Sequence, residues 1–198
     1  MMAFITGTIV ANSLSSGKLC TVGAASSSIY PIFCYGSNSN AQLRERVQND
    51  SLVSYPSVLH GYHRFFAGNS IAWGGGGVAS VVPKPGGRCM GTVVYLSSQE
   101  IERLDRFEGI REGNDPFSED STANVYRRQW VDVTINDSDV IKAIAYIRNR
   151  SDWEDYPSDK YLSACYRHLS EFWPDLDGEG YLHVYDSKNE LRGKFKLK

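Results

Sequence analysis

The sequence predicts one α+β domain in which short strands outnumber the helices. The chain has 198 residues, which suits one sizeable hydrophobic core better than two domains. Short apolar segments bounded by glycine, proline or asparagine recur along it, as is typical of strands. Helical spacing of the apolar side chains is confined to residues 41–47, 97–108 and 159–172.

The overall composition is that of an ordinary globular protein. Hydrophobic residues make up 41% and charged residues 22% of the chain, and the formal net charge at pH 7 is -2. So small a net charge produces no broad positive field for nucleic acid. We therefore expect a small-molecule ligand, with no nucleic-acid or membrane partner. The sequence leaves open whether the protein is a monomer or a homodimer.

The cysteine and histidine patterns argue against disulfides and metal. Cysteines at positions 20, 34, 89 and 165 are widely spaced and form no C-x-x-C pair, which favours reduced thiols and a cytoplasmic protein. His60 and His63 lie three residues apart, but no nearby cysteine or acidic residue completes a set of ligands. We predict no metal site.

Residues 1–30 are predicted to form an N-terminal extension, and residues 31–198 the domain. The stretch 11–28 is rich in serine, glycine and alanine and is too polar for a membrane span. A targeting segment stays the alternative, although the positively charged start of a secretory signal is missing.

The chain is organised around a strand at residues 31–34 that runs into a loop of small residues and then a helix. Gly36 allows a ligand to approach the backbone closely, and the loop can offer backbone N–H groups. The positive N-terminal end of the dipole of the following helix would favour a carboxylate or a developing oxyanion there. We predict that Ser37 and Asn38 cap the helix. The alternative interpretation is an ordinary capped turn with no ligand.

The remaining elements follow from spacing and turn residues. A four-glycine run at residues 74–77 lacks the Gly-Lys-Ser/Thr ending of a phosphate-binding loop and is interpreted as a mobile turn. Ser97 or Ser98 caps the second helix, and Pro157-Ser158 precedes a helix that begins at Asp159 and stops before Pro174. The predicted strands occupy residues 53–66, 78–82, 91–96, 126–135, 140–147 and, as a pair, 181–198, with a turn at 83–87 and a hairpin at 136–137.

Glu108 is the candidate acid-base residue. It lies in the last turn of the second helix, four residues after Leu104 and therefore near the apolar face. Burial and the negative end of the helix dipole both raise a carboxyl pKa, as suits a group that takes and returns a proton near neutral pH. The alternative is a surface glutamate at a frayed helix end.

Four motifs in this order resemble those of the γ-glutamylcyclotransferase family. They are Tyr35-Gly36-Ser37-Asn38, Trp73-Gly74-Gly75, residues 104–109 with the sequence LDRFEG, and Pro157-Ser158 ahead of Tyr161. The resemblance spans residues 31–172 and implies a small mixed β-barrel with flanking helices. The chain departs from the family in its N-terminal extension and in a longer loop at residues 111–123, which we expect to lie over the site and to affect substrate choice.

The resemblance also implies an activity. It is the release of 5-oxoproline from a γ-glutamyl amino acid, with Glu108 as general acid and base and without metal or cofactor. The residues that would bind the substrate are Tyr35, Gly36, Ser37, Asn38, Tyr146 and Tyr161. Two alternatives stay open: an enzyme of the same superfamily specific for a γ-glutamylamine or for glutathione, and a catalytically silent binding module.

Overall fold

A computed structural model describes residues 28–120, 122–136, 138–149, 156–176, 180–186, 188 and 190–197. The predicted extension lies outside these residues apart from its last three, and Cys20 lies outside them too. The first strand begins at Ile29, two residues before the predicted start of the domain. No helix in this part of the chain is long and apolar enough to cross a membrane.

Seven strands and three α-helices make up the described structure, in the α+β arrangement that the sequence predicts. The strands are β1 Ile29–Cys34, β2 Tyr55–Ala67, β3 Val78–Ser97, β4 Tyr126–Ile135, β5 Asp139–Arg148, β6 Leu182–Tyr185 and β7 Leu191–Phe195. The helices are α1 Asn40–Val47, α2 Ser98–Phe107 and α3 Asp159–Ser170, and a short 3-10 turn occupies Ile71–Trp73. The predicted β4–β5 hairpin and the final strand pair are both confirmed.

The first five strands close into a barrel in the order β1-β3-β2-β4-β5. All neighbours are antiparallel except β1 and β5, which run parallel and close the ring through Ile32 and Phe33. The sheet is therefore mixed, as the resemblance implied, and β6 and β7 form a separate two-stranded sheet.

Alternate residues of the barrel strands pack into two different cores. Phe33 of β1 and Ala145 of β5 join a core with α3 and β6. Ile32 and Cys34 of β1, with Ile144 of β5, join a second core beneath α1 and α2. The barrel wall at these positions of β1 and β5 is thus buried on both faces, because successive strand side chains point to opposite sides.

The turn predicted at residues 83–87 is wrong, because β3 runs on as one strand of 20 residues. His60 of β2 pairs with Arg88, and Tyr62 pairs with Pro83. The chain therefore advances two residues along β2 while it advances five residues along β3. The proline and glycine residues that predicted a reversal instead make a bulge, which Gly86 accommodates with a φ of 71°. The chain does not reverse because β2 pairs with β3 on both sides of the bulge.

The predicted caps of α1, Ser37 and Asn38, are also wrong. Ser39 is the N-cap, and its side-chain oxygen accepts a hydrogen bond from the Gln42 N–H at 3.3 Å. The helix begins at Asn40, so Gln42 is its third residue, and Ser39 is the residue whose side-chain oxygen reaches that N–H.

Of the two serines predicted to cap α2, Ser97 is the N-cap. It forms a capping box: its side chain accepts from the Glu100 N–H, and the Glu100 carboxylate accepts from the Ser97 N–H at 2.7 Å. Because β3 ends at this same residue, the cap fixes the angle at which α2 leaves the barrel.

Replacing Ser97 by alanine is expected to lower the free energy of unfolding by about 1 kcal/mol, because it removes the cap. Urea unfolding of the two single variants Ser97→Ala and Ser98→Ala tests this. Ser98 is the first helical residue and serves as the control, whose replacement should change stability little. Equal losses in the two variants would contradict the assignment of the cap.

Candidate active site

One cavity of about 390 Å³ opens where the loop after β1 meets the end of α2. Its wall includes the Trp73 turn and the side chains of Tyr126, Tyr146 and Arg148 from β4 and β5. All of the sequence-predicted site residues line this cavity: Tyr35, Gly36, Ser37, Asn38, Glu108, Tyr146 and Tyr161. The structure brings them together, and the roles assigned to them stay predictions.

Glu108 is the C-cap residue of α2, and its N–H bonds to the carbonyls of Leu104 and Asp105. Its side chain is only 11% exposed, so it is not the frayed surface glutamate of the alternative interpretation. Oε1 accepts a hydrogen bond from Asn38 Nδ2 at 3.0 Å and lies 3.5 Å from Arg46 Nη1. Arg46 also donates to Asn38 Oδ1 at 2.6 Å, which orients the amide toward Glu108.

Burial raises the pKa of Glu108 above the ordinary value of 4.5. The positive charge of Arg46 and the hydrogen bond from Asn38 act against that rise, while the charge of Asp105 adds to it. The raised pKa agrees with the direction expected from the sequence. A carboxyl group in this state can exchange protons closer to neutral pH than an exposed glutamate.

The Gly36 backbone is held from behind by a buried histidine. His168 of α3 is 0% exposed, its Nδ1 lies 2.6 Å from the Gly36 carbonyl oxygen, and its Nε2 lies 2.9 Å from Thr92 Oγ1. A carbonyl only accepts, so Nδ1 carries the proton and Nε2 accepts from the threonine hydroxyl. Burial lowers the pKa of His168 to about 4, which keeps the ring neutral.

The site tyrosines are tied to the barrel backbone or to buried polar groups. Tyr35 donates to the Tyr146 carbonyl, and the Tyr161 hydroxyl accepts from the Ala79 N–H at 3.0 Å. Tyr126 donates to the Ala79 carbonyl at 2.9 Å. These bonds leave the aromatic rings little freedom to turn, so the cavity wall is preorganised.

Close packing explains the glycine in the Tyr-Gly-Ser-Asn loop. A Cβ atom at Gly36 would lie 3.1 Å from the Ala79 Cβ atom and 3.1 Å from the Tyr161 hydroxyl oxygen. A side chain at this position would push on both neighbours. The glycine therefore allows the loop to lie against Tyr161, which is what brings its backbone to the cavity.

The turn that carries Trp73 is fastened to the start of α3. Ser158 caps α3 at the Tyr161 N–H and donates its hydroxyl proton to the Trp73 carbonyl at 2.5 Å. The Trp73 ring contacts the Tyr161 ring, with centroids 5.1 Å apart. The predicted helix start at Asp159 is confirmed, and its cap has a second partner in the glycine-rich turn.

Sequence reasoning missed several residues in or behind the cavity wall. Arg46, Tyr126 and Arg148 line the cavity, and Asp105 and His168 contact residues that line it. Arg46 follows Asn38 by eight residues and has no motif to mark it. His168 is a lone histidine on an apolar helix face, a pattern that indicates packing. Asp105 falls within the quoted LDRFEG motif, but only the three-dimensional contacts give it a partner.

The long loop at residues 111–123 does not line the cavity in the part of it that is described. The Arg128 N–H of β4 donates a hydrogen bond to the Pro116 carbonyl of the loop, and the Asn149 side-chain amide donates to the loop's Ser118 carbonyl. The loop borders a separate cavity beside α2. The expectation that this loop lies over the site is therefore not met by its described residues.

Among the described residues, no group of three or more histidine, cysteine or acidic side chains is arranged to hold a metal ion. The three described cysteines are free thiols and are buried.

The fold and the cavity agree with one protein family. Residues 32–167 match the family described as gamma-glutamyl cyclotransferase, AIG2-like. This is more than half of the chain, and the chain belongs to that family. No curated protein matches the chain.

Solved structures show the same fold at low sequence identity. A structure titled gamma-glutamyl cyclotransferase is 22% identical, with a TM-score of 0.60 over 73% of this chain and 80% of the other. An uncharacterized protein from Homo sapiens is 22% identical, with a TM-score of 0.62 over 76% and 84%. YkqA from Bacillus subtilis is 21% identical, with a TM-score of 0.56 over 72% of this chain and 48% of its own.

The buried neutral His168 is expected to make the protein less stable in mild acid. In the unfolded state the His168 ring takes up a second proton below pH 6.5, whereas in the folded state its pKa is about 4. Between these two pH values the unfolded state therefore binds more protons than the folded state. Stability should therefore fall as the pH drops through this window, by about 3 kcal/mol for this one group.

Urea unfolding between pH 7.5 and 4 tests this in the wild type, His168→Gln and His60→Gln. The glutamine at position 168 should flatten the pH dependence, whereas replacement of the exposed His60 should leave it unchanged. If the free energy of unfolding of His168→Gln falls with pH as steeply as that of the wild type, a group other than His168 causes the pH dependence.

Proposed function

We propose that the protein is a γ-glutamylcyclotransferase that releases 5-oxoproline from γ-glutamyl amino acids. The observation that carries the proposal is the buried Glu108 carboxylate, held by Asn38 and Arg46 beside a small-residue loop in a cavity of about 390 Å³. Membership of the family supports the same reaction class.

The reaction needs little chemistry from the protein beyond positioning and proton transfer. The α-amino nitrogen of the substrate attacks its own γ-carbonyl carbon, a five-membered lactam ring closes, and the C–N bond to the departing amine breaks. Because nucleophile and electrophile belong to one molecule, a cavity that folds the glutamyl chain brings them into a near-attack geometry. The tyrosine-lined wall is suited to that task.

Glu108 is the group that moves the protons. Its carboxylate takes a proton from the α-ammonium, which frees the nitrogen lone pair for attack, and it then returns a proton to the departing amine. The base must be ionised at the start of the cycle. The donors Asn38 and Arg46 stabilise that form, while burial keeps the protonated form accessible.

The loop after β1 is suited to binding negative charge. Backbone N–H groups at Gly36 and Ser37 can donate to the substrate carboxylate or to the oxygen of the tetrahedral intermediate. His168 fixes the Gly36 carbonyl on the far side of the same peptide unit. The direction of the Ser37 N–H, which shares a peptide unit with that carbonyl, is thus set before substrate arrives.

The charge of the cavity favours a leaving group that carries a carboxylate. Of the described lining residues, Arg46, Arg106 and Arg148 are cationic and Glu108 is the one carboxylate. A γ-glutamyl amino acid has two carboxylates, whereas the γ-glutamyl conjugate of a simple alkylamine lacks the second. This observation favours the amino-acid conjugates over the amine conjugates as substrates.

Glu108→Gln is expected to lower kcat for γ-glutamyl-alanine at least about a hundredfold, because glutamine retains the shape but cannot exchange protons. The measurement is 5-oxoproline release, with thermal unfolding to show that the fold is intact. Glu102→Gln, an exposed position on the same helix, is the matched control and should retain wild-type activity. An active Glu108→Gln enzyme would refute the assignment of the base.

Wild-type protein is expected to prefer γ-glutamyl-alanine over γ-glutamyl-ethylamine by about tenfold or more in kcat/KM, since the two differ only in the leaving group's carboxylate. Glutathione and γ-glutamyl-ε-lysine complete the panel. Equal rates for the first pair would contradict the role of the cationic lining. No 5-oxoproline from any of the four would favour the silent binding module.

A further inference from the structure

A buried ionic network lies directly behind the cavity wall. The Asp105 Oδ1 atom accepts hydrogen bonds from the Tyr146 hydroxyl at 2.7 Å and from Arg128 Nε at 3.1 Å, and Oδ2 accepts from Arg128 Nη2 at 2.5 Å. The side chains of Arg128 and Asp105 are 14% and 13% exposed. Asp105 does not line the cavity, but Tyr146 does.

The network restricts what the Tyr146 hydroxyl can do toward a ligand. A phenol has one proton, and here that proton is given to Asp105. Toward any other group the oxygen can only accept. Since Tyr146 is 4% exposed and lines the cavity, the ligand that meets this oxygen must present an N–H or O–H donor.

We propose that Asp105 is a positioning residue that makes the Tyr146 oxygen an acceptor for the substrate α-ammonium. The inference rests on the proposed function. The α-ammonium is the donor of a γ-glutamyl substrate that must lie beside Glu108, and it has three N–H bonds to place. Tyr146 takes one of them and leaves another directed at the carboxylate.

Arg128 aligns the Asp105 side chain. The bidentate pair supplies two parallel hydrogen bonds to the carboxylate, the geometry in which arginine binds carboxylates most strongly. The pair fixes the orientation in which Asp105 Oδ1 accepts the hydrogen bond from the Tyr146 hydroxyl.

Asp105 also acts on Glu108 through its charge, which raises the pKa of Glu108. The other groups that face Glu108 come from every neighbouring element. They are Arg46 and Asn38 on the α1 side, Cys34 at the end of β1, Tyr35 directly after it, Tyr126 from β4 and Tyr146 from β5. Arg46 and Asn38 lower the pKa of Glu108, and Asp105 is the acidic group that raises it.

A double-mutant cycle in kcat/KM for γ-glutamyl-alanine tests the proposal. Tyr146→Phe removes the acceptor, and we expect a loss of about tenfold or more. Asp105→Ala releases the hydroxyl and should cost about as much. If Asp105 acts through Tyr146, the double variant should be no slower than Tyr146→Phe alone. Losses that multiply would overturn the proposal.

The conservative variant Asp105→Asn separates positioning from a structural role. Two donors converge on Oδ1 and one on Oδ2, so the asparagine oxygen should occupy the Oδ1 place and still accept from Tyr146. Its rate at the pH optimum should lie within about threefold of the wild type, unlike that of Asp105→Ala. A rate as low as that of Asp105→Ala, with the fold intact, would count against the proposal.

The pH profile supplies a readout that lost packing would not move. Removing the charge of Asp105 favours the ionised form of Glu108, so the acid limb of kcat/KM should shift to lower pH in Asp105→Asn. The exposed Glu102→Gln variant on the same helix should leave the limb in place. An unchanged limb in Asp105→Asn would overturn the link between Asp105 and the base.

Binding to proteins that carry Glu108→Gln distinguishes this inference from the proposed function, because it needs no turnover. Calorimetry should show that adding Tyr146→Phe or Asp105→Ala weakens the binding of γ-glutamyl-alanine about tenfold. Glutaryl-alanine, which lacks only the α-amino group, should bind all three proteins equally. Equal weakening of both ligands would overturn the inference even if wild-type turnover is found. Wild-type protein that binds as expected but releases no 5-oxoproline would refute the proposed function alone.

Discussion

The structure of the cavity depends on the cost of holding the Glu108 carboxylate largely out of water. A buried carboxylate is tolerated only where donors satisfy it, and here they are Asn38 and Arg46. Both donors come from the chain that follows β1, whereas Glu108 ends α2. The ionic contact therefore determines where α1 must lie against α2, and the Arg103 side chain reinforces the contact by donating to the Val47 carbonyl at 2.7 Å.

Polar contacts from α3 support the loop on its other side. His168 fixes the Gly36 carbonyl, and the Tyr161 hydroxyl accepts from the β3 backbone at Ala79. The Tyr-Gly-Ser-Asn loop thus lies between α3, which contributes the neutral, buried side chains of His168 and Tyr161, and α2, which ends at the Glu108 carboxylate. The charge of Glu108 therefore lies on the cavity side of the loop, and the buried His168 on the other side stays neutral near neutral pH.

Much of this arrangement could be predicted from the sequence, since it depends on local order. The loop residues are contiguous, Glu108 follows a clear helical repeat, and the caps at Ser97 and Ser158 precede their helices directly. What could not be predicted depends on distant pairing. The β3 bulge resembles a turn until its partner strand is known. Asp105 is bonded to Tyr146, which is 41 positions away along the chain, and His168 to Gly36, which is 132 positions away.

The alternation of β1 between two cores also limits how the chain can change in length. Ile32 and Cys34 face one core and Phe33 faces the other, while the strand is paired on both edges. An insertion of one residue between Ile32 and Phe33, with Ile32 kept in place, would exchange Phe33 and Cys34 between the cores and displace the loop that follows. Length variation is compatible with the fold at residues 84–87 of the β3 bulge, which lie between two positions that pair with β2. It is also compatible in the loop at residues 111–123, whose described part belongs to none of the seven strands. Relatives of this chain should differ in length there and agree in length through β1.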